Sequence, residues 1–187
     1  MTAAKDKAGE TGMDVAETPR CQTANAAVTD AANTVACEAA IAAGRDAVTR
    51  EVCRGVGRLL RALGFAVINE LSLANGRRAD VVGLSPAGDV WIVEVKSCLE
   101  DLRVDTKWPE YRDFSDALFF AVAPGFPVDV LPADTGLILA DRFGGEIVRP
   151  APETRLAAAR RKAMTLRFAR TAAFSLQALA DPGLENS

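Results

Sequence analysis

Three short runs rich in β-branched and aromatic residues, 65–73, 78–84 and 90–97, follow one another so closely that only turns fit between them. Asn75-Gly76 lies in the first gap and Pro86-Ala87-Gly88-Asp89 in the second, both of them turn chemistry. Strands joined this tightly pair antiparallel, because a parallel return needs a long crossover. The spacing therefore predicts a β-meander. A helix precedes it: from Asp46 on, Val48, Val52, Val56, Leu59, Leu60 and Leu63 recur at helical spacing. Arg50, Arg54, Arg58 and Arg61 fall mostly on the other side, and Gly64 supplies the stop.

After the meander comes a polar segment, 99–114, read as helix interrupted near Pro109. Residues 117–123 read as a fully buried strand, 136–140 and 146–148 as shorter strands, and 153–179 as a closing helix. The order α-β-β-β-α-β, two more strands and a helix predicts a mixed sheet flanked by helices, in the α/β to α+β range. Residues 1–44 are rich in Ala, Thr, Asp and Glu and poor in large apolar side chains. Alanine favours helix, but so little apolar surface does not offset the entropy of ordering. They read as a disordered leader with transient helix, in which Met13 is an alternative start; 45–182 read as the folded domain and 183–187 as a tail.

The chain of 187 residues contains no histidine. Ser-His-Asp triads, Cys-His proteases, HExxH zinc sites and imidazole bases are thereby excluded. Acid–base work is left to carboxylates, lysine, tyrosine, cysteine or metal-bound water. The net charge of -3 provides no global attraction to nucleic acid, so binding of that kind requires a local basic patch. Cys21, Cys37, Cys53 and Cys98 form no C-x-x-C pair and read as reduced thiols of a cytoplasmic protein, not a zinc site. The first residues mix both charge signs and lack an apolar core, so they are no secretory signal. The apolar run at 117–122 is too short to cross a bilayer, and no membrane partner is expected.

The chemistry-bearing constellation sits in the meander. In Trp91-Ile92-Val93-Glu94-Val95-Lys96, strand alternation puts Glu94 and Lys96 on one face of an otherwise apolar strand. With the turn centred on Ala87-Gly88, Asp80 falls almost opposite Val95, adjacent to both. Burying three ionisable groups is costly unless they pair or bind a metal. Two hard carboxylates suit Mg²⁺ (or Mn²⁺), whose bound water is an accessible nucleophile. Lys96 as a compact cation then steadies that water or the charge building on a phosphate. The alternative is a plain Asp/Glu–Lys salt-bridge cluster on an exposed face.

Arg78-Ala79-Asp80 followed after thirteen residues by Glu94-Val95-Lys96-Ser97 resembles the PD-(D/E)xK signature of restriction-endonuclease-like nucleases, with Ala79 where many members have proline. More specifically, the chain resembles the bacterial MmcB family of DNA repair proteins. That likeness rests on Asn75-Gly76-Arg77-Arg78-Ala79-Asp80, on 91–97, on Asp105-x-Lys107-Trp108-Pro109-Glu110-Tyr111-Arg112-Asp113, and on the basic run 160–170; it spans about 46–180. The resemblance implies a restriction-endonuclease-like fold and a DNA repair role. It implies Mg²⁺-dependent cleavage of DNA phosphodiester bonds, with Asp80 and Glu94 as metal ligands, the Val95 carbonyl as a third, and Lys96 completing the catalytic set. Many proteins of this fold are dimers, so a homodimer is a further expectation. Two rival readings stay open. One is a non-catalytic DNA-binding or scaffold protein that recruits other repair factors; the other is an RNA-processing nuclease.

Secondary candidates carry alternatives of their own. Glu51, at what reads as the first helix's N-terminal turn, is a second acid or a dipole-compensating one. Glu70, on the first strand, reaches a metal through water or is an ordinary surface residue. Arg78, Lys107 and Tyr111 are candidate DNA contacts, the last two equally explained by packing of Trp108 and Tyr111 onto the sheet. In the last helix Arg160, Arg161, Lys162 and Arg167 form a phosphate-contacting or merely solvated face. Gly55-Val56-Gly57 lies inside a helix and is no dinucleotide loop, and Ser85 has no base to activate it.

Overall fold

The computed structural model describes the backbone of residues 23–183 and most side chains from residue 43 on. The chain divides into two units, Met1–Ala40 and Ile41–Ser187. The elements are α1 (Thr23–Ala62), β1 (Ala66–Ser72), β2 (Arg78–Leu84), β3 (Val90–Lys96), α2 (Leu99–Val104), a 3-10 helix (Trp108–Phe114), β4 (Ala117–Val122), β5 (Gly136–Ala140), β6 (Gly145–Arg149) and α3 (Ala158–Ala180). A six-stranded sheet runs in the order β1-β2-β3-β4-β5-β6. The meander is antiparallel as predicted; β3, β4 and β5 are parallel, and β6 returns antiparallel. This is a mixed sheet with flanking helices, an α+β fold. No helix among the described residues is long and apolar enough to cross a membrane.

Both faces of the sheet are closed, on the α1 side by side chains the helical periodicity singles out. Val52, Val56 and Leu60 of α1 pack on Val81, Val93, Phe119 and Ile138. Met164 and Phe168 of α3 pack with Leu71, Val82, Ile92 and Tyr111. Fully burying one such aliphatic or aromatic side chain contributes about 1.5–3 kcal/mol, so these layers fix the sheet that carries the acids. Gly55 belongs to this packing. A Cβ there would collide with the Asp141 and Gly144 carbonyl oxygens, so glycine lets α1 lie against the β5–β6 turn.

Three boundaries differ from the sequence pattern. Helix α1 begins at Thr23, not near Asp46, so the backbone over 23–44 is helical where a leader is expected. Alanine's propensity accounts for that conformation without large apolar side chains; the expectation for 1–22 lies outside the described residues. The segment after β3 is two short helices with a break at 105–107, and Pro109 sits in the first turn of the second, where its missing N–H costs nothing. Helix α3 starts at Ala158, not near Glu153. Asp116 holds the preceding residues, its carbonyl accepting the Thr154 N–H (2.8 Å) and its carboxylate the Leu156 N–H (2.9 Å).

Candidate active site

Strands β2 and β3 pair from Val81↔Val93 to Leu84↔Val90 and part beyond. The site forms where they part. There the Val95 N–H donates to Asp80 Oδ2 at 2.8 Å, so a carboxylate replaces a ladder carbonyl, and the Asp80 N–H makes a long bond to Glu94 Oε1 (3.4 Å). In this register Asp80 falls opposite Glu94, one residue from the predicted position opposite Val95. The turn explains the shift. The Ser85 N–H bonds the Asp89 carbonyl and the Gly88 N–H bonds the Ser85 carbonyl, closing a three-residue loop with Gly88 at φ +87°. That left-handed position, open to glycine, moves the centre of the hairpin to Ala87. Asp80 and Glu94 converge as a result.

Glu94 is only 4% exposed. Burial, and then the nearby Asp80 charge, push its carboxyl up to about 8. Burial likewise raises Asp80, against the opposing pull of the Val95 N–H, Lys96 and Arg78. Lys96, 7% exposed, lies 2.5 Å from Asp105 Oδ2, with its ammonium 5.9 Å from the Phe120 ring centre. The other Asp105 oxygen accepts the Lys107 N–H at 3.0 Å. Burial would raise the Asp105 carboxyl, but Lys96 and the backbone donors outweigh it and hold the group below its ordinary value. Asp105 is thus a member of the site that strand alternation does not reveal. Its only sequence signal is its place in the Asp105-x-Lys107-Trp108 stretch.

Glu70 faces the same junction. It lies between the pairs Asn69↔Val81 and Leu71↔Ala79, across from Asp80, and has φ +56°. A glutamate in the left-handed region is uncommon, and such strain, about 1–3 kcal/mol, concentrates at functional sites. The inward alternation slips here on both strands: Val67 and Val81 pack on the α1 side, whereas Leu71 and Ala79 pack on the α3 side. Glu70 is bridged to Arg78 at 3.6 Å, a pair exposed enough to contribute little. Beside Asp80 a cleft of about 350 Å³ opens between α1 and β1, lined by Arg50, Cys53, Arg54, Asn69 and Glu70. Burial, then Asp80, Glu70 and Glu94, push the Cys53 thiol up to about 11, which keeps it protonated and unreactive.

The remaining candidates divide sharply. Glu51 is exposed in the interior of α1, so it caps no helix terminus, and it does not line the cleft. The Tyr111 hydroxyl donates to the Arg78 carbonyl at 3.1 Å and its ring is buried, so it serves the fold beside the acids. Lys107 is exposed. The basic face of α3 is largely committed to the protein itself. Arg160 pairs with Asp113 at 2.7 Å, and Arg167 donates to the Ser72 carbonyl at 3.0 Å. Arg161 donates to both Asp116 oxygens and to the Gly88 carbonyl. Arg161 is therefore an anchor of α3 on the β2–β3 turn, where the sequence suggests a phosphate contact; Lys162 alone of the four remains exposed without such a bond among the described residues.

Among the described residues, no group of three or more Cys, Asp and Glu side chains is placed to hold a metal ion. Two carboxylates raised chiefly by burial, Glu94 also by the Asp80 charge and Asp80 by that of Glu70, still fit one hard cation that keeps waters and takes phosphate oxygens. A divalent cation would discharge both.

Residues 32–183 match the model of a family described as DNA repair protein MmcB-like, which starts within the stretch the sequence pattern leaves in the leader. Among solved structures, the SPO1766 protein of unknown function from Silicibacter pomeroyi is similar, with 46% identity and a TM-score of 0.72 over 74% of this chain and 95% of that one. No curated protein matches the chain.

Proposed function

The chain belongs to the MmcB-like family of DNA repair proteins, and from that premise we propose that it is a Mg²⁺-dependent nuclease hydrolysing DNA phosphodiester bonds in the cytoplasm. The observation that carries this reading is the junction of β2 and β3. Two carboxylates meet there, Glu94 buried and Asp80 half-buried, with a buried lysine two residues along from Glu94. A fold gains nothing from such a pair by itself, since burial and mutual repulsion both disfavour its charged form.

Asp80 and Glu94, with the Val95 carbonyl, would hold the cation. When bound, it supplies a water of lowered pKa and charge to set against a phosphate. Asp80 is itself oriented by the Val95 N–H, so its second oxygen is left for the ligand. Asp105 takes one of the three Lys96 N–H donors and fixes the direction of the ammonium. The other two are left for water or a phosphate oxygen, where they act most strongly on charge that develops during reaction.

The test is cleavage of a panel of single-stranded, nicked, mismatched and branched DNA in Mg²⁺ or Mn²⁺. Asp80→Ala is the control. Cutting by the wild type and none by the variant is the expected result. DNA binding without cutting in any divalent metal would instead support the non-catalytic repair protein. One observation favours that second reading: Lys96 already has a close carboxylate partner in Asp105.

A further inference from the structure

DNA must bring phosphates up to Asp80 and Glu94, and to Glu70 beside them, against like charge. Cations at the mouth of the site have to offset that repulsion. Most of those nearby are already paired: Lys96 with Asp105, Arg78 with Glu70, Arg45 with Glu100. Arg58 donates to the Phe143 carbonyl, and Arg160, Arg161 and Arg167 of α3 bond as described above. Two guanidiniums stand apart. Arg50 and Arg54 line the cleft that opens onto Asp80, are exposed, and make no ion pair or side-chain hydrogen bond among the described residues. They sit one helical turn apart on α1, a like-charged spacing that costs a helix about 0.2–0.5 kcal/mol.

We propose that Arg50 and Arg54 are the phosphate-binding residues of this site, and that the nucleic-acid backbone enters along α1 through the cleft between α1 and edge strand β1. The ligand class is the phosphodiester backbone itself. The cleft offers two guanidiniums with the Asn69 amide opposite them, and no aromatic side chain on which a base would stack. Phosphates bound there would also relieve the repulsion between the two arginines. The inference rests on the reading that the chain acts on DNA, and it moves the main DNA contact from α3 to α1.

The test is fluorescence anisotropy of labelled DNA with the full chain in EDTA, so that binding is read without cleavage. The Arg50→Ala/Arg54→Ala double variant should weaken binding about tenfold near physiological salt, and the slope of log affinity against log salt should fall by about two, one counterion per lost contact. Arg50→Lys/Arg54→Lys should restore most of both. Arg160→Ala, whose guanidinium is paired with Asp113, should change affinity by no more than about twofold, as expected of a surface side chain already engaged elsewhere. Both target arginines are exposed, so the thermal midpoint of the double variant should match the wild type. An unchanged salt slope, an equal loss on Arg160→Ala, or no DNA binding by the wild type would each overturn the inference. Its failure is separable from that of the nuclease reading. Binding through Arg50 and Arg54 without cleavage sinks only the nuclease; cleavage indifferent to the double variant sinks only the track along α1.

Discussion

Asp116 and Glu94 are both carboxylates buried at the sheet, 6% and 4% exposed, and their surroundings treat them in opposite ways. Around Asp116 the fold supplies donors: the Val90 N–H at 2.8 Å, the Leu156 N–H at 2.9 Å, and two nitrogens of Arg161 at 2.9 and 2.6 Å. Burial alone would raise that carboxyl, but these groups together hold it below its ordinary value. Around Glu94 the neighbour is another acid, and the carboxyl rises to about 8. One acid is satisfied by the protein and joins β3, β4 and α3; the other has a second acid beside it and, among the described residues, accepts only the long bond from the Asp80 N–H. Burial alone does not separate structural charge from chemical charge. The sign of the environment does.

The largest effects should break the two acids apart by function. Glu94→Gln should reduce metal-dependent cleavage by about a thousandfold or more, equivalent to about 4 kcal/mol of barrier, while DNA affinity stays the same or tightens as a negative charge near the phosphates is removed. Single-turnover rates and anisotropy on one substrate check both halves. Asp116→Ala should do the reverse. It strands the Arg161 guanidinium and two N–H groups, and breaking a buried pair from one side costs about 3 kcal/mol. Urea unfolding reads this as a lowered midpoint with an unchanged slope. A cleavage defect without a stability defect in Asp116→Ala would break the comparison.

The comparison sharpens with pH, because the two acids titrate in different windows and tilt stability in opposite directions. Asp116 has a folded pKa depressed below 3.8, so its support is present above that value and lost as pH falls through the lower folded one. For Glu94 the folded pKa is raised, from 4.5 to about 8. Between these values the folded state keeps a proton that the unfolded chain has released, so stability falls as pH rises. In EDTA the wild type should therefore lose on the order of 2 kcal/mol of stability between mildly acidic and mildly basic pH. Glu94→Gln should flatten that decline, and Mg²⁺ should oppose it by binding the ionised pair. A wild type whose midpoint climbs over the same range would show that Glu94 is ionised at little cost.

How much of this was legible without coordinates depends on how local the cause is. The meander and the meeting of Asp80 with Glu94 follow from alternation and turn residues, which act over a few positions. The register missed by one, because the sequence does not show that Gly88 adopts φ +87° and closes a three-residue loop. The slip at Glu70 was out of reach, since glutamate is not a residue that announces a left-handed backbone. Pairings across long separations were equally silent. Arg161 reaches Asp116 over 45 positions, and Lys96 meets Asp105 only because the short helix α2 brings the chain back. A basic run on a helix thus reads as a DNA face until its partners are seen.

Tyr111 gives the smallest and most discriminating prediction, because it stands between the two regimes. Its hydroxyl is near both acids: burial, then Glu94 and Asp80, raise its pKa, so it stays protonated at any working pH. That leaves it able to donate, and it donates to the Arg78 carbonyl, two residues before Asp80, at 3.1 Å. A tyrosine acting on phosphate would have to give up this bond. One serving the fold would keep it and hold the start of β2 in place. Tyr111→Phe retains the ring packed with Ile92, Leu118 and Phe168 and removes only the donor. The expected cost is about 1 kcal/mol, the net worth of one hydrogen bond whose acceptor lies near the surface. Cleavage by the folded fraction should remain within about twofold, since no transition-state contact is lost. The measurements are a urea midpoint and a saturating cleavage rate on the same preparation. A rate loss of about a hundredfold with an unchanged midpoint would move Tyr111 across the divide, from the group that anchors β2 to the group that meets the phosphate.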